Sequence, residues 1–581
     1  MATPDELVKL FGTGEKVEPL REIALGPLSI LLGREAIRRI CWNDVELVRA
    51  IAWPIRDRNW GTLTPQITEE SVGLDEATLS FSLSFTVADG ALECELGVEA
   101  SDDGSLRAEL TMHATENFAT NRAGITVLHP IAGVAGSPLS VTHSDGVVEE
   151  TEFPRLISPG QPVMDIVGLR HSRNGATVDM AFDGEVFEME DQRNWSDASY
   201  KTYCVPLVFP FTYEIAKGES RTQSIDITVA GDTQSAAASR SAEISLAPGN
   251  GVAPEIGLAV EPDWLESGEA GRLAETCGTN HVAARLSLPI DPQILDDLAA
   301  LSTALGVSVD LEVVLQNEAA PLEALQTLAG QLAKQSIRPA RVLALRASYL
   351  ASHQPSGPWP DGPIPSDVVQ AAREAFPDAL IGGGMLTNFT EFNRCPPDPT
   401  LCDFVSHGST AIVHAGDDLS VRETLEALPQ IFDSAEALSG GKPYRLGLVS
   451  IGMRSNPYGA AVADNPDQVR QTMAKVDPRQ RGLFAAAWAV GALSATAGGC
   501  VEALCLAAPC GPFGIAYQTQ DDPQPYFDQD GSAIVYPIYH VFNTAAAMAG
   551  DDRLIIDGLP TGGHGYGVRR GSGADVMIAN V

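Results

Sequence analysis

The second half of the chain carries a series of polar side chains placed just past short apolar runs, where a catalytic cleft would collect them. Glu261 ends EIGLAVE and Asp263 follows it, Asp291 follows HVAARLSL, and Gln316 and Asn317 follow VSVDLEVVL. Arg346 lies at the end of RVLALRA and Ser348 follows it. Thr387, Asn388, Glu391, Asn393 and Arg394 follow ALIGGGML. His407 ends CDFVSH, with His414, Asp417 and Asp418 shortly after it, and Arg454, Asn456 and Tyr458 follow YRLGLVSI. An imidazole beside a carboxylate suits proton transfer near neutral pH, and a fixed guanidinium suits a developing oxyanion. These residue types point to general acid–base chemistry on a neutral polar substrate. A second concentration lies in the first half. FEMEDQRNWSDASYKTY (187–203) gathers Glu188, Glu190, Asp191, Arg193, Asn194, Trp195, Asp197 and Lys201, with a shorter echo, RDRNWGT, at 56–62. Polar groups mixed with aromatic faces suit sugar hydroxyls and ring faces.

The elements that must position these groups follow from hydrophobic period. Residues from about 20 to 235 alternate apolar and polar at period two, as in ATLSFSLSFTV (77–87), LRAELTMHAT (106–115) and SIDITVAG (224–231), with turn signals between them. This predicts an antiparallel β-sandwich over 1–235. The small, polar stretch 236–252 reads as a linker. Beyond it the apolar runs 255–261, 281–288, 307–315, 341–347, 379–386, 402–407, 444–451 and 501–508 alternate with helical stretches such as DPQILDDLAALSTAL and SVRETLEALPQIF. Eight strands separated by helices predict a (β/α)₈ barrel over 253–545, whose strand ends carry the active site. Residues 546–581 read as a short C-terminal β segment. Its strand-like end, VMIANV, marks either the natural end of that segment or a truncated small domain.

Several function classes are disfavoured. Acidic residues outnumber basic ones 76 to 38 over 581 residues, a formal charge of −38, which repels nucleic acid and anionic membranes. The uncharged stretch 482–501 is rich in Ala and Gly with Arg479, Arg481 and Glu502 at its ends, and reads as a buried barrel helix rather than a membrane span. The start has no secretory pattern, and nine dispersed cysteines fit reduced thiols in a cytoplasm. No two of the ten histidines lie closer than seven residues apart, which removes the compact histidine metal motifs. G-x-S-x-G and the glycine-rich nucleotide loops are absent as well. Neither metal nor cofactor is expected. A retaining glycosidase needs two facing carboxylates, in common barrel glycosidases at the ends of strands four and seven. Here those ends read LRASY and SIGMRSNPYG, with no carboxylate in either.

The stretches EDQRNWSDASYKTY (190–203), FTEFNRCPP (389–397), FVSHGSTAIVHAGDDLSVRETLEAL (404–428), IGMRSNPYG (451–459) and DPRQRGLFAAAWAVG (477–491) resemble the D-apionate lactonase family over nearly the whole chain. The resemblance implies a sandwich of the galactose-mutarotase type, a glycosidase-like barrel, a small C-terminal β part, and hydrolysis of apionolactone to apionate in apiose breakdown. A lactone is already flattened at its carbonyl carbon, as a glycosidase transition state is flattened, so a glycosidase-shaped barrel suits it once the paired carboxylates are gone.

On this reading the residues divide as follows. His407 is the base that activates water, oriented by Glu391, and Arg346 faces the oxyanion. Asn388, Arg454 and Asn456 hold the lactone ring, and His414, Asp417, Glu190, Asp191, Arg193 and Asn194 complete the substrate-binding set. The partner is a small sugar lactone, without nucleic acid or membrane, and a homo-oligomer is allowed. Three other readings stay open. One is a glycoside hydrolase using Glu391 and Glu261, one a mutarotase-like activity of His129 with Glu190, and one a non-catalytic sugar-binding protein.

Overall fold

The computed structural model describes residues 3–210, 212–231, 243–265, 269–517 and 534–581. Two compact units emerge. One contains Val17–Gln192 and Ala198–Arg240; the other contains Met1–Lys16, Arg193–Asp197 and Ser241–Val581.

The first unit is a sandwich-like antiparallel sheet of sixteen strands. Its chemistry is legible in the strands Thr78–Val87, Leu92–Ser101 and Ser105–Ala114, which pair in sequence. Every second residue is buried, so Leu79, Phe81, Leu83 and Phe85 share one face with Leu92, Leu96, Leu106 and Leu110. A period of two places alternate side chains on opposite faces, which is why the alternation in sequence becomes one apolar and one wet surface.

The second unit is built on a closed barrel of eight parallel strands. They are β1 (Glu255–Val260), β2 (His281–Ser287), β3 (Ser308–Leu315), β4 (Arg341–Arg346), β5 (Leu380–Asn388), β6 (Phe404–Thr410), β7 (Tyr444–Ser450) and β8 (Val501–Ala507). Their near-continuous apolar runs reflect burial on both faces. Proline opens the helices Pro292–Leu305, Pro321–Lys334, Pro365–Ala375 and Pro537–Met548, where its missing N–H costs nothing. The helix after β5, Phe389–Arg394, is only six residues long and starts directly from the strand end. The glycines of β5 allow close approach of neighbouring groups. A Cβ on Gly382 would lie 2.4 Å from the Phe404 ring, and Gly384, at φ +126°, would meet the Ser406 carbonyl oxygen at 2.1 Å.

The amino-terminal ends of the strands are closed by ions. Arg445 bonds Glu502 at 2.6 Å and Glu255 at 2.7 Å, with Asp310 at 3.6 Å. This is the end of a barrel associated with stability rather than chemistry.

The apolar helix Leu483–Ser494 contacts Asp418–Ser439, Pro537–Met548, the N-terminal helix Pro4–Phe11 and two strands of a C-terminal sheet. Neighbours on all sides explain why it is hydrophobic all round. No helix among the described residues is long and apolar enough to cross a membrane. The C-terminal sheet has four antiparallel strands, Ser245–Val252, Asp552–Asp557, Gly563–Arg570 and Gly573–Asn580. Its first strand falls within 236–252, the stretch read from sequence as a linker, whose residues 236–242 lie outside the described ones.

Candidate functional site

At the carboxyl ends of the strands a narrow polar cavity opens, lined among others by Arg285, Glu312, Thr387, Asn388, Ser409 and Arg454. It holds about 20 Å³, the room one water or one carbonyl oxygen needs. Arg285 on β2 and Glu312 on β3 are register partners. Arg285 Nε donates to Glu312 Oε2 at 2.9 Å, and Arg454 Nη1 donates to the same oxygen at 2.9 Å. Arg454 Nε donates to Glu261 Oε1 at 2.8 Å. Burial raises the cost of the Glu312 charge, but Arg454 and Arg285 outweigh it and hold the carboxyl below its ordinary range. Burial and the neighbouring Arg454 lower the Arg285 guanidinium, while Glu312 and Glu261 prevail over burial to raise that of Arg454. Glu312 thereby acts as a fixed counter-charge between the two guanidiniums.

Arg454, Asn388 and Thr387 all line the cavity, and Arg454 Nη2 is buried without a hydrogen-bond partner. The Thr387 side chain interacts with Glu391 and that of Asn388 with Tyr458. Buried polar groups nearly always find a partner, so the unpartnered guanidinium nitrogen marks a place prepared for one.

The short helix after β5 supports this corner. Glu391 is its third residue, and its Oε2 accepts from the Asn388 backbone N–H at 3.1 Å, the return half of a capping box. Burial pushes the Glu391 carboxyl up from its usual range. Thr390 donates its hydroxyl to the Asn194 carbonyl at 2.7 Å and lies 3.2 Å from the Tyr458 hydroxyl. Asn393 Nδ2 donates to Asn194 Oδ1 at 2.9 Å. The segment Arg193–Asp197 thus belongs to the barrel's own polar network. Arg193 bonds Gln430 at 2.5 Å, Ser196 Oγ lies 3.0 Å from Ser409 Oγ, and Asp197 Oδ2 lies 2.6 Å from His414 Nδ1.

The structure redistributes the sequence assignments. Asn388 and Arg454 line the cavity; Glu391 stands behind Asn388. His407 does not reach it. Strand β6 continues to Thr410, and the His407 side chain packs among Phe389, Phe392 and Tyr444. Its Nδ1 donates to the Gly408 carbonyl at 2.8 Å, so its Nε2 must accept from the Tyr444 hydroxyl at 2.6 Å. Both nitrogens are occupied, and burial holds the imidazole down to about 4. His407 is therefore not the base, and Glu391 does not orient it. Arg346 spends its guanidinium on the carbonyls of Asp361, Pro363 and Asn317, tying loops together rather than facing an oxyanion. Asp417 caps Asp418–Ser439 by accepting from Ser420 N at 2.9 Å. Asn456 shapes its own loop, donating to the Ala461 carbonyl and accepting from Tyr458 N.

Glu190 and Asp191 lie in the first unit, where Glu190 pairs with Lys201 and Asp191 accepts from Ser158 N at 3.0 Å. His129 is sealed there beside Phe153 and His171, with Nε2 on Thr202 at 2.8 Å, and burial keeps it well below its ordinary range. A mutarotase-like pairing of His129 with Glu190 finds no support in these contacts. Replacing His407 by Phe is expected to lower stability by about 1–3 kcal/mol, because Tyr444 is left with an unsatisfied buried hydroxyl. Turnover should stay within about threefold of wild type, read by urea unfolding and steady-state rates; a loss beyond 10²-fold in a folded variant would return His407 to the reaction.

Sequence reasoning missed Arg285 and Glu312, which lie inside apolar runs. The available signal was a charge in the middle of each of two neighbouring barrel strands, which must face inward and pair.

A family model described as D-apionate lactonase, TIM barrel domain, matches residues 256–550, and one described as D-apionate lactonase, N-terminal domain, matches residues 8–232. The D-apionate lactonase of Brucella anthropi is 37% identical over 570 residues, covering 94% of this chain and 90% of that protein. Among solved structures, a GH36 alpha-galactosidase of Geobacillus stearothermophilus is 11% identical, covering 94% of this chain and 89% of that one, with a TM-score of 0.26. Galactose 1-epimerase of Lactobacillus acidophilus is 6% identical, covering 37% and 97%, also with a TM-score of 0.26. Similarity this low carries no weight for fold or activity.

Proposed function

Because the chain belongs to the D-apionate lactonase family, we propose that it opens the ring ester of D-apionolactone to give D-apionate, at the carboxyl end of its barrel. The supporting observation is the buried, unpartnered Nη2 of Arg454, a residue that lines with Asn388 and Thr387 one cavity with room for a carbonyl oxygen. Attack of water turns the lactone carbonyl into a tetrahedral alkoxide, and a fixed donor at that oxygen stabilises it more than the ground state. Arg454 supplies a permanent cation, kept in place by Glu261 and Glu312. The ring carbon–oxygen bond then breaks, the departing alkoxide takes a proton, and the new carboxylic acid ionises, so each turnover releases one proton.

A glycosidase reading is weaker here, since Glu261 and Glu312 are both bound to Arg454 and Glu391 is bound to the Asn388 backbone. We also place the protein in a reducing compartment, a reading supported by nine cysteines that are all free thiols. The test is acid release followed with a pH indicator over a panel of aldonolactones that includes D-apionolactone. Fastest release from D-apionolactone, undiminished by dialysis against a chelator, is the expected result. Hydrolysis of aryl glycosides without any lactone turnover would overturn the proposal.

A further inference from the structure

We infer that His414, held by Asp197, is the base that takes the proton from the attacking water; this rests on the lactone reading above. A carboxylate only accepts, so the 2.6 Å contact to Asp197 Oδ2 places the proton on His414 Nδ1. Nε2 is left with its lone pair, and it has no hydrogen-bond partner among the described residues. The two side chains are 23% and 18% exposed, open enough for water to reach and covered enough for the pair to be held. His407, with both nitrogens consumed, is the opposite case.

The dyad is tied to the cavity by the short segment that supplies Asp197. Ser196 adopts φ +69°, a left-handed conformation that costs a serine energy and persists where its surroundings impose it. With that kink, Ser196 bonds Ser409 on the cavity wall, while Trp195 and Asp197 both reach His414. The Trp195 ring meets the His414 ring edge at 5.4 Å and lies 6.5 Å from Tyr458, whose hydroxyl approaches Thr390. The Arg394 guanidinium stacks over Trp195 at 5.2 Å. Charged groups around the dyad have separate duties. Asp417, in the same loop, caps its helix, and Asp418 is paired with Arg470 and Arg479. Asp197 is the carboxylate that holds the imidazole.

In the step itself His414 Nε2 accepts a water proton as the oxygen bonds to the carbonyl carbon. Asp197 stays ionised and stabilises the imidazolium, which passes that proton to the departing ring alkoxide. No oxidant or further reactant is required.

The experiment compares wild type, His414→Gln, His414→Ala and Asp197→Asn on D-apionolactone, with circular dichroism to confirm folding. His414→Gln should lower kcat about 10²- to 10⁴-fold with KM changed only a few-fold. Asp197→Asn should lower kcat as well but retain more activity than His414→Gln, because the imidazole loses the group that orients it. Added imidazole should restore part of the rate of His414→Ala, which a purely structural histidine would not show. Near-wild-type kcat in a folded His414→Gln variant would overturn the assignment while leaving the lactone reading intact. Absence of turnover by the wild-type protein across the lactone panel would overturn the lactone reading, and the base with it.

Discussion

Exchange of Arg454 for Lys is expected to lower kcat/KM for the lactone about 10²- to 10³-fold, the usual loss when one oxyanion donor is removed. A lysine keeps the charge but lacks the fork. Arg454 uses Nε for Glu261 and Nη1 for Glu312 and leaves Nη2 without a partner, three directions from one rigid plane. An ammonium cannot reproduce that division, and in satisfying both carboxylates it withdraws from the carbonyl. Stability falls as well, since breaking a buried ion pair typically costs about 3–5 kcal/mol, although Glu312 keeps Arg285. Asn388→Ala separates the two effects. It removes the neighbouring donor without stranding a charge and should cost about 10²-fold in kcat. Steady-state kinetics on both variants, with unfolding curves alongside, provide the check. Wild-type kcat in folded Asn388→Ala and Arg454→Lys would mean that the carbonyl is bound elsewhere.

The same corner shows what the sequence could and could not reveal. The eight barrel strands were readable because double burial makes each a short apolar run between helices. Strand ends were less readable, since a polar residue in a barrel can mark either a rim or a continuing strand. The run CDFVSH reads as ending at His407, yet the strand continues through Gly408, Ser409 and Thr410. A supposed rim residue became a mid-strand residue packed in the aromatic layer. Arg285 and Glu312 failed in the opposite sense: each is a charge hidden in an apolar run, and only the pairing of β2 with β3 brings them together. The run EDQRNW reads as one dense polar segment, but it divides between units. Glu190 and Asp191 stay in the antiparallel sheet, while Arg193–Asp197 joins the barrel network. No periodicity encodes such a division, because it depends on contacts between residues some two hundred positions apart.

Acid should destabilise the barrel unit well before its carboxylates titrate. His407 and His281 are both sealed in it, held down to about 4 and about 3. For His407 the cause is burial, opposed by its bond to Gly408. For His281 it is burial together with the nearby Arg445 and Arg341, and its Nδ1 has no hydrogen-bond partner. Unfolding exposes both rings, which then take a proton near the ordinary value of about 6.5. Between that value and the folded one, the unfolded chain binds more protons than the native chain, so stability decreases as pH falls. Each histidine contributes a slope of about 1.4 kcal/mol per pH unit, and two together about 2.7. From pH 6.5 to 5 that amounts to roughly 3 kcal/mol, since the rings are only partly protonated at the upper end, a large share of a typical 5–15 kcal/mol. Below about pH 4 the His407 contribution is spent, and protonation of the paired carboxylates takes over. The measurement is urea unfolding at half-unit steps between pH 7 and 5, followed by a probe in the barrel such as Trp488, which is buried against Val421 and Thr424. His407→Phe should start less stable at pH 7 and then lose stability less steeply, by about 1.4 kcal/mol per pH unit near pH 5, as one titrating site is gone. An unchanged slope in that variant would show that His407 is not held neutral in the fold, and would remove the reason for excluding it from proton transfer.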